Sequence, residues 1–348
     1  MSRLWQSAIR NTAWIALGIT ACLSPALRAA ETRDEAPPTP ASQAPAAAAS
    51  SDGDEPVPVV DTFDLRFRFE PQQLLRYEVE HQSEFTTLYN DLTEVATNRS
   101  QMRRSYKVLG VQPNGDADLQ LSIDWARMMA EFGNGQQRTK SIEFQSDDPA
   151  KHPPAFQQVL DAVGKPQATI RFSAAGRALE VKTDKPVTPG GGAEAPTAPG
   201  SIPGASHESY LIPLPEVRVA VGNTWKERFE VTARDSEKLP VRVTLQRSYK
   251  LSEVKEGLAT IEFRTVILTP VQDPTVSAQL IQRETVGKLV FDLERGRIVS
   301  RHVTVEGNVL NPFGPKSSMR ATSVWKERLI AEPQVARKEA EVSGAPKQ

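Results

Sequence analysis

Hydrophobic and polar residues alternate along several stretches of this 348-residue chain. In the run from Phe63 to Glu70, Phe and Leu at the odd positions alternate with Asp, Arg and Glu. The same period of two recurs at 75–80, 117–125 and 259–267. This period places one face of a strand in a core and the other in water, which is typical of antiparallel sheet. The pattern therefore predicts a mainly β protein.

Turn residues separate these stretches as a β-meander requires. Asn114-Gly115 follows the strand around Tyr106, and Gly257 follows the strand around Tyr249. Glycine suits tight hairpin turns because it accepts positive φ. The spacing from Tyr to Gly is nine residues in the first case and eight in the second. We expect the turn to have changed type, because a one-residue change within a strand would exchange its faces.

Three short motifs occur twice and in the same order. Arg-Ser-Tyr-Lys occurs at 104–107 and 247–250, Arg-Tyr/Phe-Glu-Val at 76–79 and 228–231, and Gly-Arg at 176–177 and 296–297. The predicted fold class is therefore mainly β, with two tandem, duplicated antiparallel β units that form curved sheets or half-barrels, and one or two short helices. A specific site is expected where the copies diverge or meet, rather than at the residues they share.

One segment has helical spacing instead. Residues Pro154 to Val163 carry apolar side chains on one helical face, with Pro154 near the start and Gly164 as a stop signal. Residues 276–284 hold the corresponding place in the second copy, where the pattern fits helix and strand equally well. A final strand at 319–329 has no counterpart in the first copy.

Composition places the β units between segments that are poor in large apolar residues. Such segments cannot bury enough apolar surface to offset the entropy lost on ordering. The predicted divisions are a signal peptide at 1–21, with 30 as the alternative end, an acidic Pro/Ala-rich linker at 22–58, a first β unit at 59–184, a Gly/Pro-rich linker at 185–208, a second β unit at 209–331 and a disordered tail at 332–348.

The N-terminus has the layout of a secretory signal. Arg3 and Arg10 precede the apolar run 12–21, which is too short to span a bilayer. We therefore expect export to the periplasm or cell envelope. The sequence Ile-Thr-Ala-Cys at 19–22 is similar to a bacterial lipobox, so Cys22 is a candidate lipidation site that would anchor the protein to a membrane. Cleavage near residues 26–30 would instead remove Cys22, which is the only cysteine and leaves no partner for a disulfide.

Net charge and histidine spacing argue against two classes of site. Lys and Arg number 42 against 43 Asp and Glu, without a basic stripe, so nucleic acid is not an expected partner. His81, His152, His207 and His302 do not have the spacing of metal ligands. No metal or other cofactor is predicted.

No motif of a known catalytic type is present, and the protein is predicted not to be an enzyme. A hydrolase acting on an envelope polymer would need carboxylates such as Asp124 and Glu143 to converge in a cleft. Asp124 beside Trp125 is interpreted instead as an exposed charge at a strand end. The repeated Arg104 has two interpretations: it binds an anion such as a carboxylated polymer, or it extends a stem across the core edge while Tyr106 caps the core.

Four passages support a family resemblance: residues 69–77, 162–166, 214–225 and 287–292. In these passages the chain resembles an uncharacterised family of exported bacterial proteins with a domain of unknown function, best known from planctomycetes. The resemblance implies export and a β-rich body. It implies no activity and no site residues.

The sequence thus predicts an exported, non-enzymatic cell-envelope protein that is a binding or scaffold module. Its partner would be an unknown envelope component or an amphiphilic ligand, with membrane contact only through a lipid anchor. The alternatives are a carrier of a lipid or other amphiphile in a β concavity, an envelope-polymer hydrolase, and an interaction module that presents its edge strands. The oligomeric state is not predicted.

Overall fold

The computed structural model describes residues 61–134, 137–182 and 211–330. The predicted signal peptide, Cys22, both linkers and the tail lie outside these residues. Within them the protein is mainly β, with two tandem antiparallel units and two short helices. The predicted fold class is confirmed.

The strands fall into two series of seven, each with one short helix. The first series is β1 (Thr62–Phe63), β2 (Leu74–Tyr89), β3 (Leu92–Val111), β4 (Ala117–Gly133), β5 (Arg138–Gln145), β6 (Pro166–Phe172) and β7 (Ala178–Lys182), with helix α1 (Gln157–Ala162) before β6. The second is β8 (Val219–Ala220), β9 (Thr224–Arg234), β10 (Pro240–Lys255), β11 (Leu258–Ile267), β12 (Val286–Asp292), β13 (Arg297–Leu310) and β14 (Ser317–Leu329), with helix α2 (Pro274–Leu280) before β12.

Both units build one twelve-stranded antiparallel sheet, while β1 and β8 form a separate pair. The order across the sheet is β7-β6-β4-β3-β2-β14-β13-β12-β11-β10-β9, and β5 pairs with the second half of β4. Strand β14 joins the units because it pairs with β13 on one side and with β2 on the other. The unduplicated strand is therefore the joint of the sheet.

The two units share irregularities that alternation does not predict. The β3–β4 register shifts after Val108, and the β10–β11 register shifts at the equivalent Leu251. The β6–β7 register shifts after Arg171, and the β12–β13 register shifts at the equivalent Val290. Such bulges bend a strand locally. Their recurrence shows that the duplication extends to the curvature of the backbone.

One predicted correspondence between the copies is wrong by two residues. Tyr77 lies opposite Arg104 in the β2–β3 pair, whereas Glu227 lies opposite Arg247 in the β9–β10 pair. Tyr77 therefore corresponds to Glu227, and not to Phe229 as the repeated letters indicate. A slip of two residues keeps the same face inward, so the hydrophobic pattern cannot detect it.

The helix is duplicated, which the sequence left open. The predicted helix at 154–163 is a 3-10 turn (Pro154–Phe156) followed by α1. Residues 276–284, which fitted strand equally well, instead lie largely in α2 and the 3-10 turn that follows it (Ile281–Arg283). Helix is favoured over strand here because Asp273, just before α2, caps the helix. Its side chain accepts a hydrogen bond from the Thr275 backbone N–H at 2.7 Å.

The main core contains residues from strands near both edges of the sheet. Ile170 on β6 and Tyr249 on β10 belong to the same buried cluster, so the sheet curls around a shared interior. Two segments that precede the first long strand of each unit, residues 65–69 and 212–214, are buried in that cluster. We call residues 65–69 the strap.

The strap explains the repeated Gly-Arg turns. The Phe67 backbone N–H donates to Ala174 O at 2.8 Å, and the Arg68 backbone N–H donates to Gly296 O at 3.0 Å. Gly176 and Gly296 have φ of 77° and 59°, in the left-handed region. A Cβ on Gly176 would overlap the Phe67 ring, and one on Gly296 would meet the backbone N of Arg68 at 2.5 Å. Both turns need glycine because the strap passes directly over them, and at Gly176 a Cβ would also overlap the Ile212 carbonyl oxygen.

Candidate functional site

The outer face of β14, β2, β3 and β4 carries two depressions with volumes of about 470 and 760 Å³. The first depression contains Glu80 and Arg99, and the second contains Glu78 and Arg103. We call the two together the outer groove.

Strand register shows that the two depressions are neighbours. Glu78 and Glu80 are successive outward positions on β2. On β14 they lie opposite Arg328 and Lys326 respectively. On β3 they lie opposite Arg103 and Gln101. The depressions therefore occupy consecutive rows of one surface, at the joint between the two units.

The outer groove is basic although the whole chain is nearly neutral. Six cationic side chains line it, and in order they are Arg76, Arg99, Arg103, Arg127, Lys326 and Arg328 against Glu78, Glu80 and Asp124, with Glu143 beside Arg127 and Asp147 near Arg103 at its margin. Sequence reasoning missed this surface because its members span some 250 positions of the chain. Their outward positions were predictable from alternation, but their proximity depends on the pairing of β14 with β2.

Two of the cations form ion pairs. Arg328 Nη2 lies 2.9 Å from Glu78 Oε2 within the groove. Arg127 Nη2 lies 3.0 Å from Glu143 Oε1 at its margin. Exposed pairs of this kind contribute only about 0–1 kcal/mol each, so an incoming anion can compete for the guanidinium groups.

The remaining four cations form no ion pair with the described residues. The Arg103 guanidinium stacks over the Trp125 ring, 5.4 Å from its centroid. Within the described parts of the chain, Arg76, Arg99 and Lys326 have no carboxylate within ion-pair distance. The outer groove therefore has positive charge that the described sheet does not neutralise.

The two carboxylates considered for hydrolysis do not converge. Asp124 accepts a hydrogen bond from Ser105 Oγ at 2.8 Å. Glu143 pairs with Met129, which lies five residues beyond Asp124 along β4. At about 3.3 Å per residue, this places the two roughly 16 Å apart along the sheet. Paired glycosidase carboxylates are about 5–9.5 Å apart. Hydrogen bonds from Lys151 and Arg127 also lower the pKa of Glu143 and hold it as an anion.

The repeated arginines lie on the inner face. In the first unit, Arg104 Nε donates to Glu327 Oε1 at 3.1 Å, and Arg301 Nε lies 3.4 Å from Glu327 Oε2. Burial opposes ionisation of Glu327, but the charges of Arg104 and Arg301 outweigh it and lower its pKa. The Arg104 side chain is only 14% exposed, so it does not extend into solvent as one interpretation predicted. The anion that it binds is part of the protein.

In the second unit the equivalent arginine has other partners. Arg247 donates from Nε to Thr265 Oγ1 at 2.8 Å and from Nη2 to Thr285 Oγ1 at 3.3 Å. Next to it, Tyr249 Oη donates to Glu227 Oε2 at 3.1 Å. Burial raises the pKa of Glu227 above its ordinary value.

The histidines within the described residues are not gathered at a metal centre. His81 Nε2 lies 2.8 Å from Ser323 Oγ, and burial lowers the pKa of His81. His152 Nε2 lies 3.0 Å from the Gln145 carbonyl oxygen, and His207 lies outside the described residues. Across 61–134, 137–182 and 211–330, no three His, Cys, Asp or Glu side chains are placed to share a metal ion.

A small cavity on the inner face lies beside Tyr77, Tyr106 and Glu327 and has a volume of about 10 Å³. That is room for roughly one water molecule.

None of the helices in the described parts of the chain has the length and apolar character needed to cross a membrane.

Comparisons with known proteins identify no family for this chain. No family model matches the sequence, and no curated protein matches it significantly. A solved structure titled "Lipid-protein interactions in lipovitellin" aligns with 76% of this chain at 15% identity and a TM-score of 0.40. The chain spans only 26% of that protein's length. Membership of the exported bacterial family stays a prediction.

Proposed function

We propose that the protein is an exported, non-enzymatic binding protein of the cell envelope, and that it holds an anionic ligand in the outer groove. The observation that carries this proposal is the pair of open depressions lined by six cations and three carboxylates. Export is inferred from the signal-like N-terminus. It is tested by cell fractionation, and recovery of the protein with the cytoplasm would contradict it.

The chemistry of the groove favours anions with planar oxygen groups. Five of the six cations are arginines, whose guanidinium fork matches a carboxylate or phosphate with two parallel hydrogen bonds. Each charged side chain extends from a paired β-strand, so the backbone positions of the array are set before a ligand arrives. Because each exposed contact is weak, binding requires several of them to act together.

Binding is better supported than hydrolysis. The groove carboxylates Glu78 and Asp124 already accept bonds from Arg328 and Ser105, so neither is poised as an acid or base. The amphiphile carrier draws no support from the inner cavity of about 10 Å³, which is far smaller than a lipid chain.

Isothermal titration of the mature protein with citrate tests the proposal. We expect weak, salt-sensitive binding that falls at least tenfold in the double variant Arg99→Glu/Lys326→Glu, because two attractive charges become repulsive. Arg264→Glu is the matched control, since Arg264 is an exposed cation on β11, three strands away from β14. The same loss in the control, or no loss in the double variant, would overturn the proposal. Denaturation curves of all variants check that the fold is retained.

A further inference from the structure

The length of the outer groove bears on the kind of ligand it fits. Arg76 and Gln82 lie six residues apart on β2, at opposite ends of the groove. At about 3.3 Å per residue, they are roughly 20 Å apart. Arg99 lies directly opposite Gln82 on β3, so positive charge is present at both ends. A single small anion would occupy only part of this surface.

The side chains between the charges are of two further kinds. Gln82 and Gln101 are exposed amides, which both donate and accept hydrogen bonds. Val324 and Met129 supply apolar contact at the same end of the groove. An acidic sugar chain has the complementary groups: carboxylates, many hydroxyls and apolar C–H faces.

Two other kinds of polyanion fit less well. An extended acidic peptide binds most readily by adding a strand to a sheet edge. Strands β14, β2 and β3 are paired on both sides, so the floor of the groove offers no such edge. A polyphosphate or nucleic acid carries dense negative charge, which Glu78, Glu80 and Asp124 would repel along its length. A polymer with one charge per sugar ring can place its charges between these carboxylates.

We infer that the ligand of the outer groove is an acidic polysaccharide whose chain lies across both depressions, with uronate carboxylates at Arg76, Arg99 and Lys326 and hydroxyls at the amides of Gln82 and Gln101. This inference rests on the proposed function and specifies its ligand. A chain that contacts both depressions gains from their connection, because the second contact is made at a high effective concentration.

Oligogalacturonides of defined length, from one ring to eight, are the probes. We expect the affinity measured by titration calorimetry to rise at least a hundredfold from the monomer and to level off once the oligomer spans the groove. Arg76→Glu and Arg99→Glu alter opposite ends. Each should reduce binding of the longest oligomer about tenfold and move the plateau to shorter oligomers, whereas Arg264→Glu should change neither.

The outcomes separate the two proposals. Citrate binding that depends on Arg99, without any dependence on oligomer length, overturns the polysaccharide inference and leaves the anion-binding function standing. Tighter binding of polyglutamate or polyphosphate than of an oligogalacturonide with the same number of charges also overturns the inference. Failure to bind any of these anions, citrate included, overturns both proposals.

Discussion

The two arginines of the repeated motif occupy the same place in their units but have different partners. Arg104 is neutralised by Glu327, whereas Arg247 donates to the hydroxyls of Thr265 and Thr285. Glu327 comes from β14, the strand that has no counterpart in the first unit. The second unit places a carboxylate, Glu227, on its own edge strand instead.

The difference shows what a duplication preserves. Strand pairing fixes where each arginine lies, so both copies must compensate a buried cation. The compensating groups come from different strands: Glu327 lies on β14, two strands away from β3, whereas Thr265 lies on β11, which pairs with β10. The outer groove also depends on β14, because it lies where β14 pairs with β2. The expectation that a site lies where the copies meet stays a prediction until ligand binding at the outer groove is measured.

We expect the largest difference in stability when Arg104 and Arg247 are replaced one at a time. Arg104→Met leaves Glu327 buried with one cation fewer, and we expect a loss of about 3–5 kcal/mol in the free energy of unfolding. Arg247→Met leaves two threonine hydroxyls that already lie 2.9 Å apart and removes a charge that lowers the pKa of the half-buried Glu227, and we expect the smaller loss of about 1–2 kcal/mol. Urea denaturation at neutral pH measures both.

The triple variant Arg104→Met/Arg301→Met/Glu327→Leu is the control for this comparison. It removes all three charges of the first centre, and we expect it to recover most of the loss caused by Arg104→Met. Equal losses in the two single variants would show that Glu327 does not distinguish the units.

The turns beneath the strap should respond alike in both copies. Gly176→Ala and Gly296→Ala each place a Cβ against the strap at positive φ, and we expect each to cost about 2–4 kcal/mol. Gly257→Ala also has positive φ but meets nothing within 4 Å, so about 1 kcal/mol is expected. Thermal unfolding would refute the role of the strap if all three variants lost the same stability.

The pH dependence of stability gives the smallest differences, and its sign is opposite for Glu327 and Glu227. The pKa of Glu327 is lowered in the folded protein, so its ionised form stabilises the fold above the ordinary pKa of 4.5, and this is lost as pH falls through the folded value. Glu327→Gln should therefore be destabilising at neutral pH and less so in acid. The pKa of Glu227 is raised, so its ionised form opposes folding above that raised value.

Glu227→Gln should accordingly be neutral or slightly stabilising at neutral pH, with this advantage lost in acid. Urea midpoints measured from about pH 3.5 to 8 for both variants give the comparison. Parallel curves for Glu327→Gln and Glu227→Gln would show that the two carboxylates have the same surroundings, contrary to the structure.

Local pattern was sufficient for much of the fold. Alternation of period two located the long strands, and the spacing at 154–163 located the first helix. The second helix was ambiguous because Val276 and Ile281 suit a strand as well, and its cap at Asp273 lies before that segment. The two-residue error between Tyr77 and Phe229 arose because alternation has a period of two and therefore cannot separate two registers that differ by two.

The chain by itself determined which side chains face inward and which face outward, because that depends only on the alternation within each strand. It also determined that two units exist, since the repeated motifs are local. Only the tertiary structure decided that β14 pairs with β2, and hence that Arg104 meets Glu327 inside and that the charges of the outer groove lie together. Strands distant in sequence are brought together by the closure of a shared core, and no local pattern records which of them become neighbours.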